Sequence, residues 1–204
     1  SETVSSDVSY SSGSADTASA ATAADTVNLA QGKGNDAFTL EMEGAGTDLD
    51  PATKDTTIRE KEESILNRLT DGYYGSGEIL DGNWNGSGMR SHYYEAYRQI
   101  DRAITLDLGQ LSHIESLSFH MQEGLGWGIS APSMVTYFLS EDGVTFHRVG
   151  RVSRFDAVKD EDPDHYYSVV ENGKEVNCQS YYFTLDGLNY NARYVKVAFE
   201  LTGT

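Results

Sequence analysis

From residue 100 onward, apolar and polar residues alternate with a period of two in a series of short segments. Ile104, Leu106 and Leu108 alternate with polar residues, and Gly109 ends this first segment. Similar β-rich segments follow at 117–121, 134–139, 146–152, 181–185 and 195–201. Gly, Asn and Asp residues lie between them. Short alternating segments separated by such turn residues predict an all-β sandwich or barrel.

Two local patterns add detail to this prediction. Glu141-Asp142-Gly143 lies between two strand segments, and glycine supplies the positive φ that tight hairpins require. Residues 56–69 carry Ile58, Ile65, Leu66 and Leu69 at helical spacing. A capping box formed by Thr57 and Glu60 would start this helix. The sequence therefore predicts one short helix of about 12 residues before the sandwich core.

The first 27 residues differ in composition from the rest of the chain. They contain eight Ser, six Ala and four Thr, and they have no Lys or Arg. Small polar residues bury too little apolar area to offset the entropy lost on ordering. We expect residues 1–27 to be a disordered tail or linker and residues 28–204 to form one domain. The tail lacks the features of a signal peptide, so a secretion signal would have been removed before Ser1.

The charge balance excludes several classes of function. Fifteen Lys and Arg against 32 Asp and Glu give a net charge of −17. Such a chain is a poor partner for nucleic-acid phosphates or anionic membranes, which bind Lys and Arg. The single cysteine, Cys178, excludes an internal disulfide framework. The sequence also lacks the common motifs of nucleophilic, metallopeptidase and phosphate-binding sites, so we expect no enzyme activity.

Several motifs occur in one order along residues 28–203. They are Asn28 to Lys33 (NLAQGK), Leu69 to Gly72 (LTDG) followed by Trp84, Ile104 to Gly109 (ITLDLG), Ile129 to Pro132 (ISAP), Ser140 to Gly143 (SEDG) and Ala192 to Val197 (ARYVKV). Together they resemble the discoidin-like, or coagulation-factor type C, family of the galactose-binding-like fold. The stretch 33–68 and the polar insertion 153–178 depart from that pattern.

The resemblance implies a jelly-roll β-sandwich with binding loops at one end. In bacterial members it implies a non-catalytic carbohydrate-binding module, joined to other domains of a secreted or cell-surface protein. It also implies a structural Ca²⁺ near the Asp-Gly pair, with Asp71 as one ligand and Glu200 as a candidate second ligand. Oxygen ligands suit Ca²⁺. Residues 160–171 place acids in an EF-hand-like register, but an acidic solvated loop explains this segment better.

The aromatic residues indicate where a sugar would bind, because flat apolar rings stack on pyranose rings and planar polar groups bind hydroxyls. Trp127 lies in a Gly-flanked loop and is the first candidate, although it could instead fold back over the sandwich. Trp84 occupies the family's usual core position and is a further candidate. The remaining predicted ligand-binding residues are Tyr94, Tyr97, Tyr166, Tyr167, Arg98 and Glu123.

Three functions stay open at this level. The sequence favours a glycan-binding module, with a glucan such as starch as the expected ligand. Galactosides, mucin glycans and uronates are alternatives, and the acidic composition disfavours anionic glycans. A protein-binding adhesion or scaffold module would use the same loops and would show an apolar patch there. A glycoside hydrolase, catalytic or accessory, would show two carboxylates across a cleft.

Overall fold

The computed structural model describes residues 4–7, 27–43, 66–72, 101–123, 130–162, 168–171, 174–177 and 179–200. Its strands in chain order are β1 Val4–Asp7, β2 Val27–Asn28, β3 Phe38–Glu43, β4 Asp101–Ile114, β5 Leu117–Glu123, β6 Met134–Ser140, β7 His147–Ser153, β8 Val158–Lys159, β9 Ser168–Glu171, β10 Lys174–Asn177, β11 Gln179–Leu185 and β12 Tyr190–Glu200. Two 3-10 helices cover Asn35–Ala37 and Leu66–Leu69. None of the helices in these ranges has the length and hydrophobicity needed to span a membrane.

The strands form two five-stranded sheets and one separate hairpin. The first sheet has the order β3-β4-β12-β6-β7, and all neighbouring strands are antiparallel. The second has the order β2-β1-β5-β11-β8, in which β1 runs parallel to both of its neighbours. The hairpin β9-β10 lies within the segment 153–178 that departs from the family pattern.

The alternation seen in the sequence decides which side of each strand is buried. In β6, Val135, Tyr137 and Leu139 are buried, whereas Thr136 and Phe138 between them are only partly buried. The buried residues of both sheets belong to one core cluster. Phe119 of β5 meets Phe199 of β12 edge to face, with ring centroids 4.8 Å apart. The two sheets therefore pack face to face, which confirms the predicted all-β jelly-roll sandwich.

The segment predicted to be a helix is a tighter structure where it is described. Leu66–Leu69 forms a 3-10 helix of four residues, and both leucines are buried in the core. A 3-10 helix has three residues per turn, so residues three apart lie on the same side. This places Leu66 and Leu69 on one face. Residues 56–65 of the predicted helix lie outside the described residues.

The predicted N-terminal tail contributes one strand. Val4–Asp7 lies between β2 and β5, with Val4 opposite Val27 and Ser6 opposite Leu117. Backbone hydrogen bonding in a ladder does not depend on side-chain type, so a Ser-rich segment is able to add a strand. The structure thus places these four residues in a strand, and the assignment of residues 1–27 to a tail or linker stays a prediction. Residues 1–3 and 8–26 lie outside the described residues.

Candidate ligand-binding site

The sandwich has two ends, which we name after a carboxylate at each. The Asp107 end contains Asp107 of β4 and Ser140, the last residue of β6, both paired with Tyr194. The Glu123 end contains the last residue of β5, which pairs with Gln179 at the start of β11. The segment 124–129, which carries Trp127, joins Glu123 to Ser130. Both attachment points of this segment are therefore described, although Trp127 is not.

Glu123 forms the polar contacts that hold its end of the sandwich together. Its carboxylate is buried, and Oε1 accepts a hydrogen bond from Arg154 Nη2 at 2.9 Å. Oε2 accepts a hydrogen bond from the Ala131 amide at 3.3 Å. A buried carboxylate needs such partners, because its desolvation is otherwise costly. The prediction that Glu123 binds a sugar hydroxyl stays a prediction, and the structure shows both of its oxygens already holding the protein together.

Arg154 links this carboxylate to an aromatic ring. Its guanidinium carbon lies 3.5 Å from the centroid of the Tyr181 ring, and the Tyr181 hydroxyl donates to Gln179 Oε1 at 2.7 Å. Burial disfavours the charge on Arg154, but the Glu123 carboxylate outweighs it and raises the pKa of Arg154. The guanidinium thus lies over the phenol ring on one side of the contact and hydrogen-bonds to the carboxylate on the other. Planar donors and acceptors of this kind suit recognition of sugar hydroxyls.

Phe155 follows Arg154 and is the most exposed large apolar side chain among the described residues, at 98% exposure. The turn that carries it is well fixed. The amides of Asp156 and Ala157 both donate to the Ser153 carbonyl at 3.0 Å, and the Ser153 hydroxyl donates to Asp156 Oδ2 at 2.8 Å. Exposing a phenyl ring forfeits roughly 1.5–3 kcal/mol of burial free energy. A rigid turn that nevertheless presents such a ring beside Arg154 is a candidate ligand platform.

The sequence analysis does not predict Phe155 as a ligand-binding residue, because residues 153–178 are polar overall. The signal that would have found it is a single aromatic between Arg154 and Asp156. The other predicted ligand-binding residues lie outside the described residues, so their roles stay predictions. They are Trp84, Tyr94, Tyr97, Arg98, Trp127, Tyr166 and Tyr167.

The two predicted calcium ligands belong to segments that are attached at different ends of the sandwich. Asp71 follows Thr70, whose carbonyl accepts from the Gly32 amide at 2.6 Å. The adjacent Lys33 donates to the Leu108 carbonyl at 3.0 Å, so this loop is attached to the Asp107 end. Glu200 pairs with Met134 at the Glu123 end. The roles of Asp71 and Glu200 as Ca²⁺ ligands stay a prediction.

Within the described ranges, no group of three or more His, Cys, Asp or Glu side chains is placed to hold a metal. The acidic segment after β8 illustrates why. Asp160 would be the first ligand of an EF-hand-like loop, but its Oδ2 lies 3.0 Å from His120 Nε2, and both side chains are only 6% exposed. The structure thus uses Asp160 inside the fold, and calcium binding stays a prediction.

The His120–Asp160 pair anchors the beginning of the insertion. His120 packs against Tyr182 with ring centroids 4.6 Å apart, and the Asp160 amide donates to the Ser180 carbonyl at 2.8 Å. The Asp162 amide donates to Asp160 Oδ1 at 3.0 Å. These contacts fix residues 160–162 against β5 and β11. The sequence does not reveal this pair, because its acidic neighbours give Asp160 the appearance of a residue in a solvated loop.

Two motifs of the family resemblance meet at the Asp107 end. Arg193 of the ARYVKV motif donates from Nε and Nη2 to the two carboxylate oxygens of Asp107 in the ITLDLG motif, at 2.8 and 2.9 Å. The Gly109 amide donates to Asp107 Oδ1 at 2.8 Å. The Arg193 guanidinium, joined by the Gly109 amide and by Lys33, outweighs burial and lowers the pKa of Asp107. At this end, a structural ion pair thus joins β4 to β12.

Comparison with known proteins found no matching family model and no matching curated protein. Similar solved structures include CpGH89CBM32-5 from Clostridium perfringens, in complex with GalNAc-β-1,3-galactose, at 19% identity and a TM-score of 0.30. The C-terminal domain of a chitobiase from Bacteroides fragilis matches at 16% identity and a TM-score of 0.29. CBM32-3 from a family 31 glycoside hydrolase from Clostridium perfringens matches at 14% identity and a TM-score of 0.31.

The three matches cover 51%, 56% and 55% of this chain, respectively. They cover 57%, 54% and 63% of the three solved chains. The chain therefore matches little more than half the length of these structures.

Proposed function

We propose that this chain is a non-catalytic carbohydrate-binding module that holds a glycan at the Glu123 end of the sandwich. One observation carries the proposal: Phe155 is fully exposed on a fixed turn directly after Arg154, which stacks on Tyr181 and pairs with Glu123. The discoidin-like motifs of the sequence support the same function. The segment that bears Trp127 starts and ends at this end of the sandwich.

The chemistry of the described residues suits a sugar. Aromatic rings bind the C–H-rich face of a pyranose, and planar polar groups bind its hydroxyls. Phe155 supplies an exposed ring. Arg154, its neighbour in the chain, and Gln179 supply planar polar groups around Tyr181. We propose Trp127 as the second ring of the site. Tyr94, Tyr97, Tyr166, Tyr167 and Trp84 are proposed as further stacking residues, with Arg98 and Glu123 as hydroxyl partners.

The finer features of the proposal concern ligand and context. We propose a glucan such as starch as the ligand at this end, and a secreted or cell-surface protein of several domains as the setting. The module would then bring a neighbouring domain to the polysaccharide. Catalysis is not part of the proposal, because Glu123 is held in an ion pair with Arg154 instead of facing a second carboxylate across a cleft.

Affinity gel electrophoresis of the full chain in gels containing starch or galactan tests the proposal. Phe155→Ala and Trp127→Ala are each expected to weaken retention at least tenfold on the retarding glycan, because each removes one stacking ring. Tyr190→Ala is the matched control, since Tyr190 is exposed but pairs with Ile114 far from Glu123. Its retention is expected to equal that of the wild type.

Three results would contradict the proposal. The first is equal migration of the wild type and both variants on every glycan. The second is release of reducing sugar from the polysaccharide, which would indicate a hydrolase. The third is loss of retention in Tyr190→Ala of the same size as in Phe155→Ala, which would place the ligand elsewhere.

A further inference from the structure

The outer face of the first sheet carries a group of residues that the glycan site at the Glu123 end does not use. Val197 and Phe199 of β12 point into the core, so Lys196 points outward. Lys196 pairs with Phe138 of β6, and Phe138 pairs with Arg148 of β7. Residues directly opposite each other in a sheet share a face. Lys196, Phe138 and Arg148 therefore form one row across the outer face.

A second row adds another cation, because Thr136 of β6 pairs with Arg151 of β7. Phe146, just before β7, lies 5.6 Å from Lys196 Nζ by its ring centroid, and the Phe138 ring lies 5.9 Å from the same atom. Lys196 thus sits between two phenyl rings. We call the five residues Phe138, Phe146, Arg148, Arg151 and Lys196 the β7 face.

The charges of the β7 face stand out against a chain of net charge −17. Lys196 is neutralised by Glu41, whose Oε2 lies 2.8 Å from Lys196 Nζ. Arg148 and Arg151 are exposed, and neither forms an ion pair within the described part of the chain. Arg148 and Arg151 therefore present two guanidinium groups on the outer face of the same strand, with no ion-pair partner among the described residues.

Protection of a sheet edge explains part of this arrangement. β7 is the last strand of its sheet, and charged side chains keep an edge strand from pairing with another chain. Edge protection requires charge alone, however. It does not account for Phe138 and Phe146, two rings that a polar sheet surface would replace with Thr or Ser. Rings next to unpaired guanidinium groups indicate a ligand that is both apolar-faced and anionic.

We propose that the β7 face binds a carboxylated glycan, of which oligogalacturonate is the simplest example. The proposal rests on the proposed function only in taking the ligand to be a glycan, and it uses a different surface. Arg148 and Arg151 bind the carboxylates, because a guanidinium fork matches a carboxylate in two parallel hydrogen bonds. Phe138 and Phe146 contact the C–H faces of the sugar rings.

The overall negative charge does not prevent such binding at physiological salt. Charges more than about 8 Å apart are largely screened at 0.15 M ionic strength, whereas hydrogen-bonded contacts are screened much less. Salt therefore weakens the repulsion between the ligand and distant acidic residues more than it weakens the contacts to Arg148 and Arg151. This local cation pair reverses the expectation from composition that anionic glycans are disfavoured.

Calorimetric titration of the full chain at 0.15 M salt tests the proposal, with a galacturonate trimer as the probe and its methyl-esterified form as the neutral match. The wild type is expected to bind the acid at least tenfold more tightly than the ester. Arg148→Ala/Arg151→Ala is expected to weaken binding of the acid at least tenfold. Lys159→Ala removes an exposed cation outside the β7 face and is expected to bind like the wild type.

Each other outcome overturns the proposal. It is wrong if the wild type does not bind the acid, if acid and ester bind equally, or if the double variant binds the acid like the wild type. It is also wrong if this face instead joins two copies of the chain, seen as a dimer in sedimentation that the double variant abolishes while no uronate binds. A normal thermal midpoint of the double variant, expected because both side chains are exposed, excludes unfolding as the cause of lost binding.

Failure of the glycan site at the Glu123 end would have a different signature. In that case Phe155→Ala and Trp127→Ala would migrate like the wild type in starch and galactan gels. Binding of the galacturonate trimer and its loss in Arg148→Ala/Arg151→Ala would remain. The two proposals are therefore separable by both ligand and variant.

Discussion

The ion pair between Asp107 and Arg193 joins β4 to β12 at one end of the sandwich. Both carboxylate oxygens are used by the guanidinium, which makes the contact bidentate. The two side chains are partly exposed, so solvent screens their attraction. We expect the pair to make a small stabilising contribution to the free energy of unfolding at neutral pH, because its geometry is good but solvent screens it.

This contribution is expected to depend on pH in a defined direction. The pKa of Asp107 is lower in the folded chain than its ordinary value, chiefly because of the Arg193 guanidinium. The stabilisation is therefore complete above the unfolded pKa, about 4, and is lost as pH falls through the folded pKa. Asp107→Asn retains an oxygen for the Gly109 amide but loses the charge. The free energy of unfolding of Asp107→Asn should be lower than that of the wild type by a constant amount near neutral pH. This difference should shrink below pH about 4.

Chemical denaturation of both proteins between pH 7 and pH 3 measures this deficit. Asp36→Asn is the control, because Asp36 is exposed and forms no ion pair within the described ranges. It removes the same charge without breaking a pair. A deficit of Asp107→Asn that stays unchanged down to pH 3 would contradict an electrostatic origin and would indicate lost packing instead.

Individual side-chain partners were the hardest feature to predict from the sequence. Glu123 and Arg154 are 31 residues apart, and His120 and Asp160 are 40 apart. Neither pair has a local signature, because each depends on which strand ends the sheet topology brings together. Asp107 and Arg193, 86 residues apart, lie in two of the family motifs, but the motifs did not reveal that the two side chains pair. The exposure of Phe155 likewise depends on a turn geometry that composition does not encode.

At the scale of elements, the β6–β7 turn shows how much a short motif is able to specify. The sequence predicted a tight hairpin at Glu141-Asp142-Gly143. The structure has a hairpin there, with Gly143 at φ 77°, but six residues join β6 to β7, so the turn is longer than predicted. Asp142 Oδ1 accepts from the amides of Val144 and Thr145 at 2.8 Å each. These bonds to the turn amides lower the pKa of Asp142. The turn is therefore fixed by its own residues and required no tertiary information.

The Tyr194 ring also leaves no room for a side chain at position 143. A Cβ added there would lie 2.9 Å from Tyr194 Cζ, which is closer than van der Waals contact allows. The left-handed conformation itself costs roughly 1–2 kcal/mol for a residue with a Cβ. Gly143→Ala is expected to lower the free energy of unfolding by about 2–3 kcal/mol, the sum of that strain and a displaced Tyr194 ring. Urea denaturation measures the change.

Two other glycines separate these causes. Gly109 has φ 86° with nothing near its missing Cβ, so Gly109→Ala should show the backbone strain alone, about 1–2 kcal/mol. Gly34 has φ −77° and open space around it, so Gly34→Ala should change stability by less than about 1 kcal/mol and is able to raise it. Equal losses at Gly143 and Gly109 would show that the Tyr194 contact is without energetic consequence.

The strands were predicted well because period two is a strong local signal wherever one face of a sheet is buried. The segment 56–69 was predicted less well. Its apolar residues Leu66 and Leu69 fit both an α-helix and a 3-10 helix, since a spacing of three serves either geometry. β1 was missed for the opposite reason: its sequence, VSSD, shows no alternation of apolar and polar residues. Only its backbone pairing with β2 and β5 makes it a strand.

At the scale of the whole molecule, the two sheets approach closely where side chains are small. A Cβ added to Gly150 of β7 would lie 2.5 Å from Leu185 Cδ2 of β11, so the sheets interlock at that point. The face-to-face packing follows from sequence alternation, but the pairing order within each sheet does not. Alternation marks the buried side of a strand and is silent about its neighbour. The order β3-β4-β12-β6-β7 therefore came only from the structure.

The net charge is the property of the whole molecule with the most direct consequence for stability. A charge of −17 on 204 residues repels itself more strongly in the compact folded state than in the expanded unfolded chain. The Debye length falls from about 30 Å at 0.01 M to about 8 Å at 0.15 M ionic strength. Raising NaCl over this range should therefore raise the thermal midpoint at pH 7 by about 2–4 °C, corresponding to about 1 kcal/mol for a chain of this size. The same salt weakens the Asp107–Arg193 pair, but short contacts are screened less than long-range repulsion.

The pH at which the salt series is run provides the control. Near pH 4.5, the isoelectric point of the chain, net repulsion vanishes and salt should leave the thermal midpoint unchanged or lower it slightly. Differential scanning fluorimetry at the two pH values, with NaCl and with tetramethylammonium chloride at equal ionic strength, separates screening from ion binding. Equal increases with both salts at pH 7, absent at pH 4.5, are the expected result. An increase of the same size at both pH values, or one confined to NaCl, would contradict repulsion as the cause, because screening depends on net charge and ionic strength and not on the identity of the cation.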